Sequence, residues 1–228
     1  MLRLLRLLLI VLVPYLVIMF PVRAVFSPWL VAVEYGMPGF PADPVSEVEP
    51  LRAMTPTERL RLGVEGLQGT SASNGHQILL GMKFDNGQRV FDDREVKHLD
   101  DVRAIINVLF PIHSIVALSA ILLGVLLGRL SRPSLASAIR AGAVATIAIV
   151  GVILVGAIVG WDEAFTAFHR IFFSGDSWLF NWDDALIRLY PVEFWQIVTA
   201  MLGVTILGTC GLLLLVSNRL ARIDSAKP

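Results

Sequence analysis

Four long apolar segments dominate this chain and restrict how it can fold. They cover residues 4–19, 105–127, 141–159 and 194–216, and the first continues toward residue 33. A helix needs about 20 apolar residues to cross a bilayer. Only 17% of the residues are charged, whereas soluble domains carry about 25%. The pattern predicts an all-α membrane protein with four transmembrane helices.

The first apolar segment is compatible with a signal peptide at its start, because Arg3 and Arg6 precede the apolar stretch. Its length, and the lack of a clear small-x-small cleavage motif after it, favour an uncleaved anchor. We therefore expect residues 1–33 to form an N-terminal transmembrane anchor.

The Lys and Arg residues near the span ends predict the orientation. One side of the membrane would hold a basic cluster and a single acid, Asp224, while every other acid falls on the opposite side. Because basic residues concentrate in cytoplasmic loops, both termini should be cytoplasmic and residues 34–104 and 160–193 should face outward. The basic cluster consists of Arg3, Arg6, Arg129, Arg132, Arg140, Arg219, Arg222 and Lys227.

The first outer segment, residues 34–104, is long enough for a small extracytoplasmic cap. The sequence TPTE places Thr55 at an N-cap with Glu58 three residues later, which predicts a short helix over residues 55–67. The sequence HQILLGMKFDNGQRVF predicts two short strands with a turn at residues 85–87. We therefore expect an α+β cap between the first and second spans. Residues 105–228 would supply three further transmembrane helices.

Two short polar and aromatic blocks carry the candidate chemistry. The first, FDDREVKHLDDV, begins at Phe91 and contains His98. As a helix it would place Arg94, Glu95, His98 and Asp101 on one face. Glu95 or Asp101 could then accept a hydrogen bond from one imidazole nitrogen, which would make the other nitrogen a better base. The helix would continue into the second span, with His98 about one turn above the hydrocarbon.

The second block, FHRIFFSGDSWLFNWDDALIRLYP, contains His169. Its helical spacing places Phe165, His169 and Phe172 or Phe173 on one face, and Gly175 permits a turn after it. Asp183 or Asp184 could cap the short helix that follows. The block therefore predicts a polar pocket at the mouth of a helix bundle, together with Arg170, Asp176, Trp178 and Arg188.

Several alternatives for the two histidines stay open. Such residues often only pack and form hydrogen bonds, but two histidines with an acid can also hold zinc or copper, although HxxxH, HExxH and CxxC are absent. Haem ligands would normally lie inside facing spans, and Ser174 lacks a GxSxG context. The lone Cys210 excludes an intrachain disulfide. A net charge of zero gives no indication of a nucleic-acid partner.

The sequence REVKHLDDV, followed further along by FHRIFFSGDSWLFNWDDALIRLYPVEFW, resembles the bacterial lipoprotein intramolecular transacylase (Lit) family of four-span membrane proteins. The resemblance covers the whole layout except the cap at residues 34–90. It implies an enzyme of the bacterial cytoplasmic membrane that needs no cofactor. Its partners would be membrane lipids and a diacylglyceryl-modified lipoprotein. The family moves the sn-2 acyl chain to the α-amino group of the lipid-bearing cysteine, giving an N-acyl lyso-form lipoprotein.

The resemblance also implies roles for particular residues. It implicates His98 and His169 in catalysis. We expect one to act as the base and the other to protonate the leaving alkoxide, with His98 favoured as the base. An acyl-imidazole on one histidine is a variant route. Glu95, Asp101, Asp176 and Asp183 match polar positions of the motifs, and Arg94, Arg170 or Trp178 could polarise the ester carbonyl. The alternative function is a non-enzymatic four-span protein that binds a metal ion through the two histidines.

Overall fold

The computed structural model describes residues 1–225, with the backbone alone for Pro50 and residues 223–225. Lys227 and the side chain of Asp224, both used in the orientation argument, lie outside this described part. The helices are α1 Leu2–Val25, α2 Pro28–Tyr35, α3 Pro56–Ser71, α4 Gly75–Gly81, α5 Asp93–Leu130, α6 Arg132–Val159, α7 Trp161–Phe172, α8 Ala185–Leu189 and α9 Val192–Ser225.

Four of these helices, α1, α5, α6 and α9, are long and apolar enough to cross a membrane. This finding confirms the four predicted spans. Helix α5 is longer than a span requires, because a charged segment, residues 93–103, precedes an uncharged stretch at residues 104–128. The uncharged stretch alone exceeds the length of about 20 residues that a bilayer needs. His98 therefore lies outside the membrane-spanning part of α5.

The first of two compact units comprises Met1–Arg23, Leu109–Ala164 and the chain from Ala200 onward. One buried cluster joins α1, α6 and α9 and includes the fully buried Cys210. A second cluster joins α1 to α5 and α6 through Leu9, Ala120, Leu127 and Ala138. Small residues at these contacts allow close helix packing, as is usual inside membranes.

The second unit comprises Ala24–Val108 and Phe165–Thr199. Helix α3 begins as predicted, since the Thr55 hydroxyl accepts a hydrogen bond from the Glu58 amide at 3.1 Å. The reciprocal half of the capping box is not made. The Glu58 carboxylate instead accepts from the amide of Asp85 at 2.6 Å. Glu58 therefore connects α3 to the turn that follows α4.

The predicted α+β cap is wrong, because the described residues form no strand there. The sequence HQILLG forms helix α4, and only an isolated bridge between Lys83 and Arg89 flanks the turn. The turn itself lies where it was predicted, with Gly87 at φ 86°. Short apolar runs do not distinguish helix from strand by pattern. Here Leu79 is fully buried and packs against Gly69 of α3, which favours the helix.

Candidate active site

The structure brings His98 and His169 together within the second unit. His98 lies in the second turn of α5 and His169 lies in the last turn of α7. Their ring centroids are 6.2 Å apart and the ring planes differ by 25°. One bound group can therefore contact both imidazoles.

Aromatic rings enclose the two imidazoles. His98 contacts Phe173 at 4.8 Å and Phe180 at 5.4 Å between ring centroids. His169 lies 4.1 Å from Phe165 and stacks on Trp178 at 4.7 Å. Such a lining removes water from the rings and disfavours the charged imidazolium.

The hydrogen bond of His169 defines its neutral tautomer. Its Nδ1 lies 2.8 Å from the carbonyl oxygen of Phe165. A carbonyl oxygen only accepts hydrogen bonds, so Nδ1 must carry the proton. In the neutral ring Nε2 then carries the lone pair and can accept a proton from a substrate.

The environment of His98 is different. This side chain is buried, and its Nδ1 atom has no hydrogen-bond partner. Burial, together with the neighbouring His169, lowers the pKa of His98 to about 4. Burial also lowers the pKa of His169, although the bond to Phe165 opposes this shift. Both imidazoles are therefore neutral at neutral pH.

Glu95 forms no described hydrogen bond with His98, contrary to one expectation from the sequence. Its carboxylate accepts the amide of Asp92 at 2.7 Å, while Asp92 accepts the amide of Glu95 in return. Its second oxygen accepts the amide of Leu186 at 2.7 Å. Glu95 therefore closes a capping box on α5 and also caps α8, which makes it a positioning residue.

Arg94 supports the ring that lies against His98. Its guanidinium donates to Asp184 at 2.8 Å and lies over the Phe180 ring, 5.2 Å from the ring centroid. The Asp184 carboxylate also accepts the amide of Asn181 at 2.6 Å. These contacts hold the loop before α8 in place, so that Phe180 faces the imidazole.

Buried polar contacts to other parts of the second unit also hold helix α8 in place. Arg188 forms a two-pronged ion pair with Asp43, at 3.0 and 2.6 Å, in which both side chains are almost fully buried. Arg59 donates to the carbonyl oxygen of Arg188 at 2.9 Å. The Tyr190 hydroxyl donates to Gly63 of α3 at 2.6 Å. Arg188 is therefore a structural residue.

The remaining candidate residues lie in different places. Asp101 lines a cavity of about 370 Å³ that also includes Phe173 of the aromatic enclosure. Asp183 lines a separate polar cavity of about 520 Å³. Arg170 and Asp176 are exposed, and no described contact joins them to the imidazoles. The indole N–H of Trp178 donates to the carbonyl oxygen of Gly175 at 3.1 Å.

Phe173 and Phe180 both enclose His98, and of the two the sequence reasoning missed Phe180 as a site residue. The helical spacing from His169 gave a partial signal for Phe173. Phe180 lies in a loop, where periodicity gives no signal. A metal centre finds no support in the donor set, because no group of three or more His, Cys, Asp or Glu residues is assembled among the described residues.

The spans and the enclosed histidine pair define a multi-pass membrane protein with a histidine site beside a span. The family model described as "Lipoprotein intramolecular transacylase Lit" matches residues 76–195, which include both histidines. The chain therefore belongs to the Lit family, and the resemblance seen in the sequence is confirmed. The family name implies an acyltransferase that functions in lipoprotein processing.

Similar proteins agree with this assignment. An uncharacterized protein of Aquifex aeolicus (strain VF5) is 31% identical over 215 residues, covering 91% of this chain and 93% of that protein. The membrane-integral lipoprotein intramolecular transacylase Lit from Bacillus cereus has the same fold, with a TM-score of 0.74, 18% identity and coverage of 100% of this chain and 99% of that chain. A variant of that protein with a histidine replaced by arginine gives a TM-score of 0.71 at 19% identity, covering 99% of this chain and 94% of that chain.

Proposed function

We propose that this protein moves the sn-2 acyl chain of a diacylglyceryl-modified lipoprotein to the α-amino group of the same lipid-bearing cysteine. The observation that carries this proposal is the pair of neutral imidazoles with ring centroids 6.2 Å apart, enclosed by aromatic rings. Imidazoles in such a setting can transfer protons without a metal or a covalent cofactor.

The donor ester and the acceptor amine belong to one substrate molecule. Well-oriented intramolecular reactions reach effective molarities of about 10⁵ to 10⁸ M. A site that folds the lipid headgroup back on itself therefore supplies much of the acceleration. Proton transfer and stabilisation of the oxyanion remain for the protein.

His169 is the better candidate for the base. The neutral amine attacks the ester carbonyl carbon, and Nε2 of His169 takes the proton that the nitrogen loses. The tetrahedral adduct then collapses, the bond between carbon and the glyceryl oxygen breaks, and His169 returns the proton to that oxygen. The products are an amide and a free sn-2 hydroxyl. This assignment differs from the sequence-based expectation that His98 is the base.

His98 is suited to a different task. A neutral imidazole still has one N–H, and this group can donate to the oxyanion of the tetrahedral adduct. Burial keeps His98 neutral, so it stabilises developing negative charge by a hydrogen bond rather than by a full positive charge. Phe173 and Phe180 keep its ring in place.

The basic residues near the span ends support a location of both termini in the cytoplasm. The histidine site would then face outward in a bacterial cytoplasmic membrane, where lipoproteins carry their diacylglyceryl group. The acyl chains of the substrate would remain among the membrane lipids, so only the headgroup enters the site.

The test is mass spectrometry of a synthetic diacylglyceryl lipopeptide incubated with the purified protein. We expect the N-acyl lyso-product with the native chain, and loss of the product with His98→Ala and with His169→Ala. His76→Ala is the matched control, because His76 is exposed and pairs with Asp100. Full activity of either site variant would show that the two-histidine mechanism is wrong.

Asparagine substitutions separate the two proposed roles. The amide of Asn can donate a hydrogen bond but cannot act as a base near neutral pH. We therefore expect His98→Asn to keep measurable turnover and His169→Asn to lose it. The opposite result would reverse the assignment of donor and base.

A further inference from the structure

Helix α7, Trp161–Phe172, is twelve residues long, and none of its residues is buried. Several of its large apolar side chains remain open to the surroundings, since Phe168 is 56% exposed and Ile171 is 75% exposed. A helix of this length with an exposed apolar surface needs something to cover that surface.

The helix has two distinct faces. At 3.6 residues per turn, the polar residues form one continuous face, and the apolar residues form the other. The polar face comprises Asp162, Glu163, Thr166, His169 and Arg170, and the apolar face comprises Trp161, Ala164, Phe165, Phe168, Ile171 and Phe172. His169 lies at the border of the two faces, next to Phe165.

Chain connectivity fixes the depth of this helix. Helix α6 is one of the four candidate spans and ends at Val159, and only Gly160 separates it from Trp161. The last residues of α6, Ile158 and Val159, are each 83% exposed, as expected of the apolar end of a span. Helix α7 therefore begins where the chain leaves the hydrocarbon of the bilayer.

We propose that α7 lies in the plane of the membrane interface, with its apolar face in the acyl chains of the adjacent leaflet and its polar face toward water. Bilayer lipid is the expected occupant because the apolar face continues directly from a membrane span. Amphipathic helices with one aromatic or aliphatic face and one charged face bind membranes in this way. The arrangement holds His169 at the boundary between headgroups and acyl chains.

Site-directed spin labelling of the full-length protein in phosphatidylcholine and phosphatidylglycerol vesicles tests this proposal. Single cysteines are introduced in a Cys210→Ala background at two apolar positions, as Phe168→Cys and Ile171→Cys. Two polar-face positions, as Asp162→Cys and Thr166→Cys, serve as matched controls on the same helix. Collision rates are measured with oxygen, which concentrates in lipid, and with a water-soluble nickel chelate.

We expect an oxygen-to-nickel collision ratio several-fold higher at the two apolar positions than at the two polar positions. Equal ratios on both faces would show that the helix lies in water and would overturn the proposal. Low collision rates with both reagents at the apolar positions would also overturn it, because another protein surface or a second copy would then cover this face. Labels at four separate surface positions keep the result independent of the folding of any single variant.

Discussion

Burial of the two imidazoles determines which proton transfers are available near neutral pH. An exposed histidine is partly protonated close to its ordinary pKa of about 6.5. Burial lowers the pKa of His169 and lowers that of His98 to about 4. Since the free-base form of each ring persists below its ordinary pKa, both rings are already neutral when the substrate amine becomes able to react.

The pH dependence of turnover should then reflect the substrate amine, because both imidazoles lose their protons at a lower pH than the amine does. An α-amino group has a pKa of about 7.7 to 8.0 and must be neutral to attack. We therefore expect the rate to rise with pH through the range in which the substrate amine loses its proton, without an inflection at the ordinary histidine pKa. Initial rates of lipopeptide conversion between about pH 5 and 9 provide the measurement.

A second lipopeptide with a less basic N-terminal amine serves as the control for this prediction. The inflection should move to lower pH together with the pKa of that amine. An inflection that stays near the ordinary pKa of histidine with both substrates would show that an accessible imidazole limits the rate.

Glu95 provides a second prediction at the level of a single residue. Its buried carboxylate accepts the amides of Asp92 and Leu186, and each buried donor left without an acceptor costs about 1–3 kcal/mol. We expect Glu95→Ala to lower both the thermal unfolding midpoint and the activity. Asp93→Ala is the matched control, because the Asp93 side chain is 92% exposed in the same helical turn. Both quantities are measured on the purified protein in one detergent.

A different result would change the role of Glu95. If Glu95→Ala removed the activity without lowering the unfolding midpoint, the carboxylate would act on the substrate. In the present structure both of its oxygens are occupied by backbone amides, which favours the positioning role.

At the level of helices, the spans could be predicted because length and apolar character are local properties of the sequence. The start of α5 could be predicted as well, because Asp92 and Glu95 have the spacing of a capping box. The bond from Glu95 to Leu186 could not be predicted, since these residues are far apart in the chain. The same applies to the contact of Phe180 with His98, which depends on the path of a loop.

The incorrect strand prediction has a physical explanation of the same kind. Apolar and polar residues after His76 alternate over too short a stretch to define a strand. The neighbouring α3 offers the small residue Gly69 as a contact for Leu79. A tertiary contact therefore decided between two local structures that the pattern left equally possible.

The contact between α1 and α6 gives a prediction with an internal control. A Cβ atom at Gly142 would lie 2.6 Å from the Cβ of Val13, whereas a Cβ at Gly151 of the same helix would meet no atom within 4 Å. We expect Gly142→Ala to lower the thermal stability by separating α1 from α6, and Gly151→Ala to leave it unchanged or slightly higher. Cys210 reports the opening of this packing, because it is fully buried with α1, α6 and α9.

The measurement is the temperature at which a thiol-reactive dye labels Cys210. The double variant Val13→Ala with Gly142→Ala should recover part of the lost stability, since it removes the two Val13 methyl groups that would lie 2.8 and 3.3 Å from the new Cβ and leaves only the Cβ contact. Equal labelling temperatures for Gly142→Ala and Gly151→Ala would contradict the close packing of the two helices.

At the level of the whole molecule, charge and hydropathy together predict how the chain crosses the membrane. The basic residues near the ends of the spans lie at the start of α1, at the end of α5 and the start of α6, and near the end of α9. With four spans, these positions fall on one side of the membrane and residues 34–104 fall on the other. Because basic residues are retained in the cytoplasm, the segment with the first histidine should be outside.

Cysteine accessibility in intact cells checks this topology. In a Cys210→Ala background, Ser73→Cys reports on the outer segment and Ala221→Cys reports on the end of α9, and both native side chains are exposed. We expect a membrane-impermeant maleimide to label Ser73→Cys in intact cells and to label Ala221→Cys only after the membrane is disrupted. The reverse pattern would place the histidine site in the cytoplasm, where the proposed lipoprotein substrate would not reach it.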